Sequence, residues 1–219
     1  PSGVLRLSAN ESPYGPFPSI LRAMTEAAAR GNYYVGPEAG RLRARLAALH
    51  GVPPSTVLMG AGSGEPLRVA TEVFCEKGHP PVIAEPTFEA VARTAGIAGI
   101  EAVQIPLTAA GIHDVEKMVE AARRHSAGLL YLCNPANPTG TIITREQLAW
   151  TVENLPAGTT LLADEAYGDF VDDPRYQSAI PYVKQGRPVV LLKTFSKIYG
   201  LAGMRMGFAI GPPPLIARM

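Results

Sequence analysis

Lys197 lies in a sequence context that points to chemistry. It belongs to residues 194–207, TFSKIYGLAGMRMG, which follow the strongly apolar run 189–192 and also contain Arg205 and three glycines. A lysine at the end of a buried strand must either reach solvent or have a role, and some lysines in such positions are nucleophiles. For the lysine alone, a surface position is the competing interpretation, with Arg205 in an ordinary salt bridge.

Two further segments place polar residues directly after apolar runs. Residues 134–140, NPANPTG, follow the run 128–133, and residues 164–167, DEAY, follow the run 160–163. Two Asn-Pro pairs and a glycine predict a tight turn at the carboxyl end of a strand, where open α/β sheets bind their ligands. Asp164, at the end of a buried strand, is expected to pair with a cation. Helix capping is the alternative for that aspartate.

The order of the secondary-structure elements predicts where these residues lie. Strands are predicted at 57–60, 81–85, 101–105, 128–133, 160–163, 189–193 and 206–210, and helices at 19–30, 41–50, 115–124 and 145–154. Strands that alternate with helices indicate βαβ units, and strands apolar on both sides indicate helices on both faces of the sheet. The predicted fold class is therefore α/β, a three-layer α/β/α sandwich with a mainly parallel sheet. Thr144, three residues before Gln147, predicts a capping box at the helix 145–154.

Composition excludes several classes of partner. The 219 residues are 47% hydrophobic and 18% charged, and the formal net charge of +1 gives no reason to expect nucleic acid or an anionic membrane as a partner. The four histidines are scattered, so no metal site is predicted. No stretch is long and apolar enough to span a bilayer.

The cysteines bear on the compartment. Cys75 and Cys133 lie in apolar surroundings, which favours free thiols in a reducing compartment. The expected location is the cytoplasm. Because the sequence begins at Pro1 rather than at a methionine, an export signal removed before that residue is the alternative.

Taken together, these segments resemble the fold type I aminotransferases that depend on pyridoxal 5′-phosphate (PLP), class I/II, and within them the histidinol-phosphate aminotransferases. Residues 7–15, LSANESPYG, and residues 85–88, EPTF, are similar to further signatures of that family. The resemblance covers essentially the whole chain, in order. It implies a PLP-dependent transaminase of amino-acid biosynthesis, histidine biosynthesis in particular, that uses a small-molecule amino donor and a 2-oxo acid acceptor.

The resemblance also implies a role for each residue around the cofactor ring. Lys197 would carry PLP as a Schiff base and then act as general base and acid at the substrate Cα. Asp164 would keep the pyridine nitrogen protonated. Asn137 and Tyr167 would hydrogen-bond the phenolic oxygen of the ring, and Phe88 would stack on its face.

Phosphate binding is expected from a second set of residues. Residues 61–65, AGSGE, end one strand and open the next helix, so the N–H groups of Ser63 and Gly64 would face an anion, with Ser196 and Arg205 completing the site. A GSG turn seen alone is most often only a turn. Tyr34 matches the family tyrosine that reaches the phosphate of the neighbouring subunit, which implies a homodimer. It is followed here by VGPEAG, where the family usually has a Pro-Asp pair.

Substrate contacts and domain organisation are predicted from the same resemblance. Asn10, Glu11 and Tyr14 are expected at the substrate mouth, although a solvated loop explains each equally well. The expected division is an N-terminal segment, 1–30, followed by an incomplete PLP-binding large domain, 31–219. The family's C-terminal small domain, which normally carries the arginine that binds the substrate carboxylate or phosphate, is expected to be absent from these residues.

Two other functions are compatible with this sequence. Some relatives with this fold are PLP-dependent decarboxylases, because the orientation of the substrate at Cα decides which bond breaks. The other alternative is a non-catalytic PLP-binding domain. The joint presence of Lys197, Asp164, Asn137, Tyr167 and Arg205 argues against that second alternative.

Overall fold

A computed structural model describes residues 7–219 of the chain. Its centre is one seven-stranded sheet, formed by β1 (Val57–Ala61), β2 (Pro81–Glu85), β3 (Val103–Pro106), β4 (Leu129–Cys133), β5 (Thr160–Asp164), β6 (Val189–Thr194) and β7 (Met206–Ile210). Within these described residues, the strand order across the sheet is β1-β7-β6-β5-β4-β2-β3. All seven predicted strands are present, and their bounds differ from the predicted ones by at most two residues.

The sheet is mainly parallel, as predicted, and β7 is the exception. It pairs antiparallel with both β1 and β6, whereas β2, β3, β4, β5 and β6 pair in parallel. A parallel neighbour requires a crossover, usually through an α-helix. The connection between β6 and β7 contains only a short 3₁₀ turn at Ala202–Met204, so the chain returns antiparallel.

The described helices are α1 (Pro18–Ala28), α2 (Pro37–His50), α3 (Gly64–Phe74), α4 (Ala90–Ile97), α5 (Val115–Arg124), α6 (Arg145–Asn154), α7 (Ile180–Lys184) and α8 (Pro213–Ile216). The predicted bounds of α5 and α6 are confirmed. The predicted capping box is present as well. The Thr144 hydroxyl accepts from the Gln147 N–H at 3.3 Å, and Gln147 Oε1 accepts from the Thr144 N–H at 2.8 Å.

Alternating strand residues build two hydrophobic cores, one on each face of the sheet. In β4, Leu130 and Leu132 belong to the core packed against α5 and α6, whereas Leu129, Tyr131 and Cys133 belong to the core packed against α3 and α4. Successive side chains of a strand point to opposite faces, so a strand buried on both faces is apolar throughout. This arrangement confirms the three-layer sandwich.

The N-terminal part of the chain is much less buried. Helix α1 has no buried residue, and α2 buries only Leu46 and Ala47. The first six residues of the predicted segment 1–30 lie outside the described residues, and the division of the chain at residue 30 stays a prediction. From residue 7 onward, no helix is long and apolar enough to cross a membrane.

Candidate active site

The carboxyl ends of three adjacent strands bring the candidate residues to one edge of the sheet. Cys133 of β4 is in register with Asp164 of β5, and Asp164 is in register with Leu192 of β6. The segments that follow these strands therefore leave the sheet side by side. A cavity of about 1050 Å³ opens here, and the predicted residues that line it are Asn10, Glu11, Tyr14, Asn137, Tyr167 and Lys197.

Lys197 contacts both the N-terminal segment and Tyr167. Its Nζ donates to the carbonyl oxygens of Asn10 at 3.1 Å and Ala9 at 3.3 Å, and it lies 5.4 Å from the centre of the Tyr167 ring. The Tyr167 hydroxyl accepts from Asn10 Nδ2 at 3.0 Å. The segment that carries Asn10 thus crosses the site in contact with both side chains.

Asp164 is buried at the end of β5, with 3% of its surface exposed. Its Oδ2 accepts from the Tyr131 hydroxyl at 3.0 Å, and its Oδ1 accepts from the Ala166 N–H at 3.1 Å. Burial raises the pKa of this carboxyl, and the Ala166 N–H, the Tyr131 hydroxyl and the positive charge of Lys197 oppose that rise. Among the residues described, none is a cation at ion-pair distance from Asp164, so the partner expected from the sequence is not supplied by this part of the chain.

The turn that carries Asn137 is fixed by hydrogen bonds at both ends. The Asn134 N–H donates to the Asp164 carbonyl at 2.9 Å, and Asn134 Oδ1 accepts from the Ile143 N–H at 3.0 Å. The Gly140 N–H closes the turn on the Ala136 carbonyl at 2.8 Å. Asn137 is therefore presented to the cavity by a rigid turn, as predicted from the paired prolines.

Of the predicted phosphate residues, Arg205 lines a second hollow, of about 490 Å³, together with Ala61 and Glu65 of the turn 61–65. Arg205 Nη2 approaches the carbonyl of Ala61 at 3.5 Å, and its Nη1 donates to the carbonyl of Ala202 at 2.8 Å. Two glycines allow this close approach. A Cβ on Gly62 would overlap Arg205 Nη2, and a Cβ on Gly207 would overlap Ser63 N.

Three further details concern the hydrogen-bonding groups of the predicted phosphate residues and of the turn 61–65. The first N–H groups of α3, after Ser63, have no acceptors within their own helix. The Glu65 carboxylate folds back and accepts from the Ala61 N–H at 2.7 Å, an interaction that sequence reasoning missed. Ser196 is buried, and its hydroxyl oxygen accepts from the Thr194 hydroxyl at 2.9 Å.

Some predicted residues are not brought into the main cavity. In residues 7–219 its lining does not include Asp164, Ser63, Gly64, Phe88, Ser196, Arg205 or Tyr34. Phe88 follows β2 and is 37% exposed, and Tyr34 is fully exposed. A residue whose predicted contact belongs to a neighbouring subunit is expected to be exposed in a single chain. The roles of these seven residues stay predictions, and so do the roles of the predicted residues that line the cavity.

Sequence reasoning also missed three residues that lie in the cavity wall or directly beside Asp164. Tyr131 interrupts an otherwise aliphatic strand, and this unusual position was the available signal. Glu165 is 3% exposed; its carboxylate accepts from the Ala179 N–H at 2.6 Å and from the Ser178 hydroxyl at 2.8 Å. Arg175 lines the cavity mouth and is paired with Asp173.

The chain matches the model of the family described as aminotransferase class I and II over residues 2–219, and it belongs to that family. It is 40% identical over 214 residues to a histidinol-phosphate aminotransferase of Symbiobacterium thermophilum, covering 98% of this chain and 58% of that protein. It is 39% identical over 211 residues to an aromatic amino acid aminotransferase of Thermobifida fusca, covering 96% of this chain and 58% of that protein.

Solved structures agree with this assignment. The histidinol-phosphate aminotransferase of Sinorhizobium meliloti, in complex with pyridoxal-5′-phosphate, superimposes with a TM-score of 0.87 at 31% identity, over 95% of this chain and 56% of that one. A structure from Erwinia carotovora atroseptica, provisionally assigned as a histidinol-phosphate aminotransferase, gives a TM-score of 0.94 at 37% identity, over 98% and 62% of the two chains. The chain thus spans about 60% of the length of these relatives.

Proposed function

We propose that this chain is the cofactor-binding part of a PLP-dependent aminotransferase that moves an amino group between an amino acid or histidinol phosphate and a 2-oxo acid. One observation carries the proposal. Lys197 lies in a cavity at the carboxyl edge of the sheet beside Tyr167 and Asn137, and a buried carboxylate, Asp164, ends the adjacent strand. Relatives named for aromatic amino acids and for histidinol phosphate support both substrate classes.

The residues present fit PLP at three chemically different points. The turn 61–65 and Arg205 offer N–H donors and a cation for a phosphate, and only glycines at positions 62 and 207 leave room for that arrangement. Asp164 is a buried carboxylate whose desolvation a cationic ring nitrogen would offset. Lys197 supplies an amine for the aldehyde.

PLP, when bound, supplies an aldehyde for amines and a ring that withdraws electrons from the substrate Cα. Lys197 would hold the cofactor through Nζ and, when free of it, would move a proton at the substrate Cα. Asp164 holds a proton on the ring nitrogen. Asn137 and Tyr167, which line the cavity, would orient the ring through its phenolic oxygen, and Phe88 would cover one face of the ring.

The phosphate is assigned to the second group of residues. The N–H groups of Ser63 and Gly64, together with Ser196 and Arg205, bind and orient it. Asn10, Glu11 and Tyr14 border the substrate entrance, which agrees with their place in the cavity lining.

We extend the proposal to assembly and location. The protein works as a homodimer in which Tyr34 contacts the phosphate bound by the partner subunit, and its full exposure in a single chain is compatible with such a contact. A cytoplasmic location is supported by two buried free thiols, Cys75 and Cys133. Sedimentation analysis of the full-length protein tests the dimer, and Tyr34→Phe should weaken PLP binding without changing the oligomeric state.

The activity is tested with two substrates of the full-length protein. Glutamate should convert bound PLP to its amine form, and a 2-oxo acid should restore it. Carbon dioxide release without amino transfer would instead establish a decarboxylase, and PLP binding without either reaction would establish a non-catalytic domain. Comparison of kcat/KM for histidinol phosphate and for phenylalanine then selects between the two substrate classes.

A further inference from the structure

Asn10 is the residue that links the two central side chains of the site. Its backbone carbonyl accepts from Lys197 Nζ at 3.1 Å, and its side-chain Nδ2 donates to the Tyr167 hydroxyl at 3.0 Å. It stands 157 residues from Tyr167 and 187 residues from Lys197 in the chain, so the fold alone brings these groups together. An expected place at the substrate mouth does not account for this pair of contacts.

The hydrogen bond from Asn10 determines the direction in which the Tyr167 hydroxyl can donate its proton. A tyrosine hydroxyl has one O–H to donate and lone pairs that accept. Because Asn10 Nδ2 is a donor, the hydroxyl oxygen is the acceptor in this pair. The single proton of Tyr167 is then available to a different acceptor in the cavity that Tyr167, Asn10 and Lys197 line together.

The backbone conformation of Asn10 makes both contacts possible. Its φ of 50° lies in the left-handed region, which asparagine tolerates better than most residues. Lys197 cannot keep donating to the Asn10 carbonyl in the same way once its amine is covalently linked. The side-chain bond to Tyr167 does not depend on that amine.

We propose that Asn10 is a positioning residue that holds the Tyr167 hydroxyl as the donor to the phenolic oxygen of PLP, rather than a substrate ligand. This inference rests on the proposed function. A hydrogen bond to the phenolic oxygen draws electron density away from the nitrogen that links Lys197 to the cofactor, and so lowers the pKa of that nitrogen. Loss of Asn10 should therefore raise it.

The test is a pH titration of the absorbance of the holoenzyme, whose two bands report the protonated and unprotonated linking nitrogen. Asn10→Ala and Asn10→Gly both remove the amide. Glycine adopts a positive φ without strain, so this variant separates the side chain from the backbone. Asn154→Ala is the matched control, because Asn154 Nδ2 donates to the Trp150 carbonyl at 2.9 Å on the exposed face of α6.

We expect both Asn10 variants to raise the pKa of the linking nitrogen by about half a unit to one unit, the size of one ordinary hydrogen bond. Asn154→Ala should leave it unchanged. Tyr167→Phe should raise the pKa as well, and Asn10→Gly combined with Tyr167→Phe should add nothing further. Asn10→Asp should also raise it, because a carboxylate accepts the tyrosine proton and turns it away from the ring.

Two results would overturn the inference itself, and a third would overturn the proposed function on which it rests. If Asn10→Gly keeps the wild-type pKa and only raises the KM of the amino donor, Asn10 binds substrate. If Asn10→Ala shifts the pKa of the linking nitrogen and Asn10→Gly does not, the cause is the backbone conformation at position 10 and not the loss of the amide. A wild-type protein that shows no lysine-linked chromophore removes the proposed function itself, which is a different failure.

Discussion

Gly207 offers a sharp test of the proposed phosphate site, because replacing it by alanine inserts one methyl group between two backbone segments. Its Cβ would overlap Ser63 N and Gly62 C of the turn 61–65, and would lie 3.0 Å from the carbonyl oxygen of Lys193. All three atoms belong to the backbone, so no side-chain rotation relieves the overlap. Either β7 or the turn must move.

The expected cost follows from the geometry. Overpacking of this kind destabilises by about 1–3 kcal/mol, and we expect Gly207→Ala to lower the free energy of unfolding by about 2 kcal/mol. Displacement of the Ser63 N–H should remove one charge-assisted hydrogen bond to the phosphate. That loss corresponds to a rise of roughly tenfold or more in the Kd of PLP.

The assay pairs urea unfolding with absorbance titrations of PLP and of pyridoxal, which has no phosphate. Gly203→Ala is the matched control, since nothing lies within 4 Å of its added Cβ. It should match the wild type within about 0.5 kcal/mol. A Gly207→Ala protein with wild-type stability and wild-type affinity for PLP would refute the assignment of the phosphate to the turn 61–65.

Three further predictions concern charged residues. Burial raises the pKa of Glu165 to about 7 from an ordinary 4.5, so the native state holds this proton more tightly than the unfolded chain does. The free energy of unfolding should therefore fall by about 3 kcal/mol as the pH rises from the ordinary pKa of the carboxyl to its raised value. Glu165→Gln should abolish this decline in urea unfolding followed at several pH values, and parallel pH curves for the two proteins would count against it. Asp164→Asn should lower kcat/KM in the glutamate half-reaction roughly 10²-fold or more. Tyr131→Phe removes only the hydrogen bond to Asp164 Oδ2 and should lower kcat/KM roughly tenfold. Equal losses in the two variants would mean that the negative charge of Asp164 is unimportant. Arg205→Lys should raise the Kd of PLP roughly tenfold and leave that of pyridoxal unchanged, because lysine keeps the charge but loses the planar fork; equal effects on both ligands would place Arg205 outside the phosphate site.

The sheet was largely predictable because its signals are local. Apolar runs that end in Asp164 or precede Lys197 identify strands by composition, and the capping box at Thr144 fixes the start of α6 at Arg145. The antiparallel direction of β7 was not predicted. It follows from the connection between β6 and β7, which is too short for a crossover helix, rather than from the residues of β7. Helix α4 was also missed, because its alanines, glycine and threonine give a weak amphipathic pattern.

The site was predictable where it follows strand ends and unpredictable where it depends on distant contacts. Asn137, Tyr167 and Lys197 come directly after strands that the sheet places side by side, and they line one cavity. The bonds from Tyr131 to Asp164 and from Asn10 to Tyr167 join residues far apart in the chain, and no local pattern encodes them. The proposed contact of Tyr34 depends on a second subunit and has no counterpart within a single chain.

The central claim is that Lys197 is the residue that binds PLP covalently. The protein would be incubated with PLP, reduced with borohydride, digested, and mapped by mass spectrometry, with Lys197→Ala as the control. Lys193 is a useful internal reference, because it lies near the end of β6, the strand that Lys197 follows, but its Nζ is paired with Asp169 Oδ1 at 2.6 Å. We predict a phosphopyridoxyl adduct at Lys197 that the control variant lacks. Three results would contradict the account: a folded protein that carries no adduct, equal labelling of Lys193 and Lys197, and a Lys197→Ala variant that is labelled as strongly as the wild type.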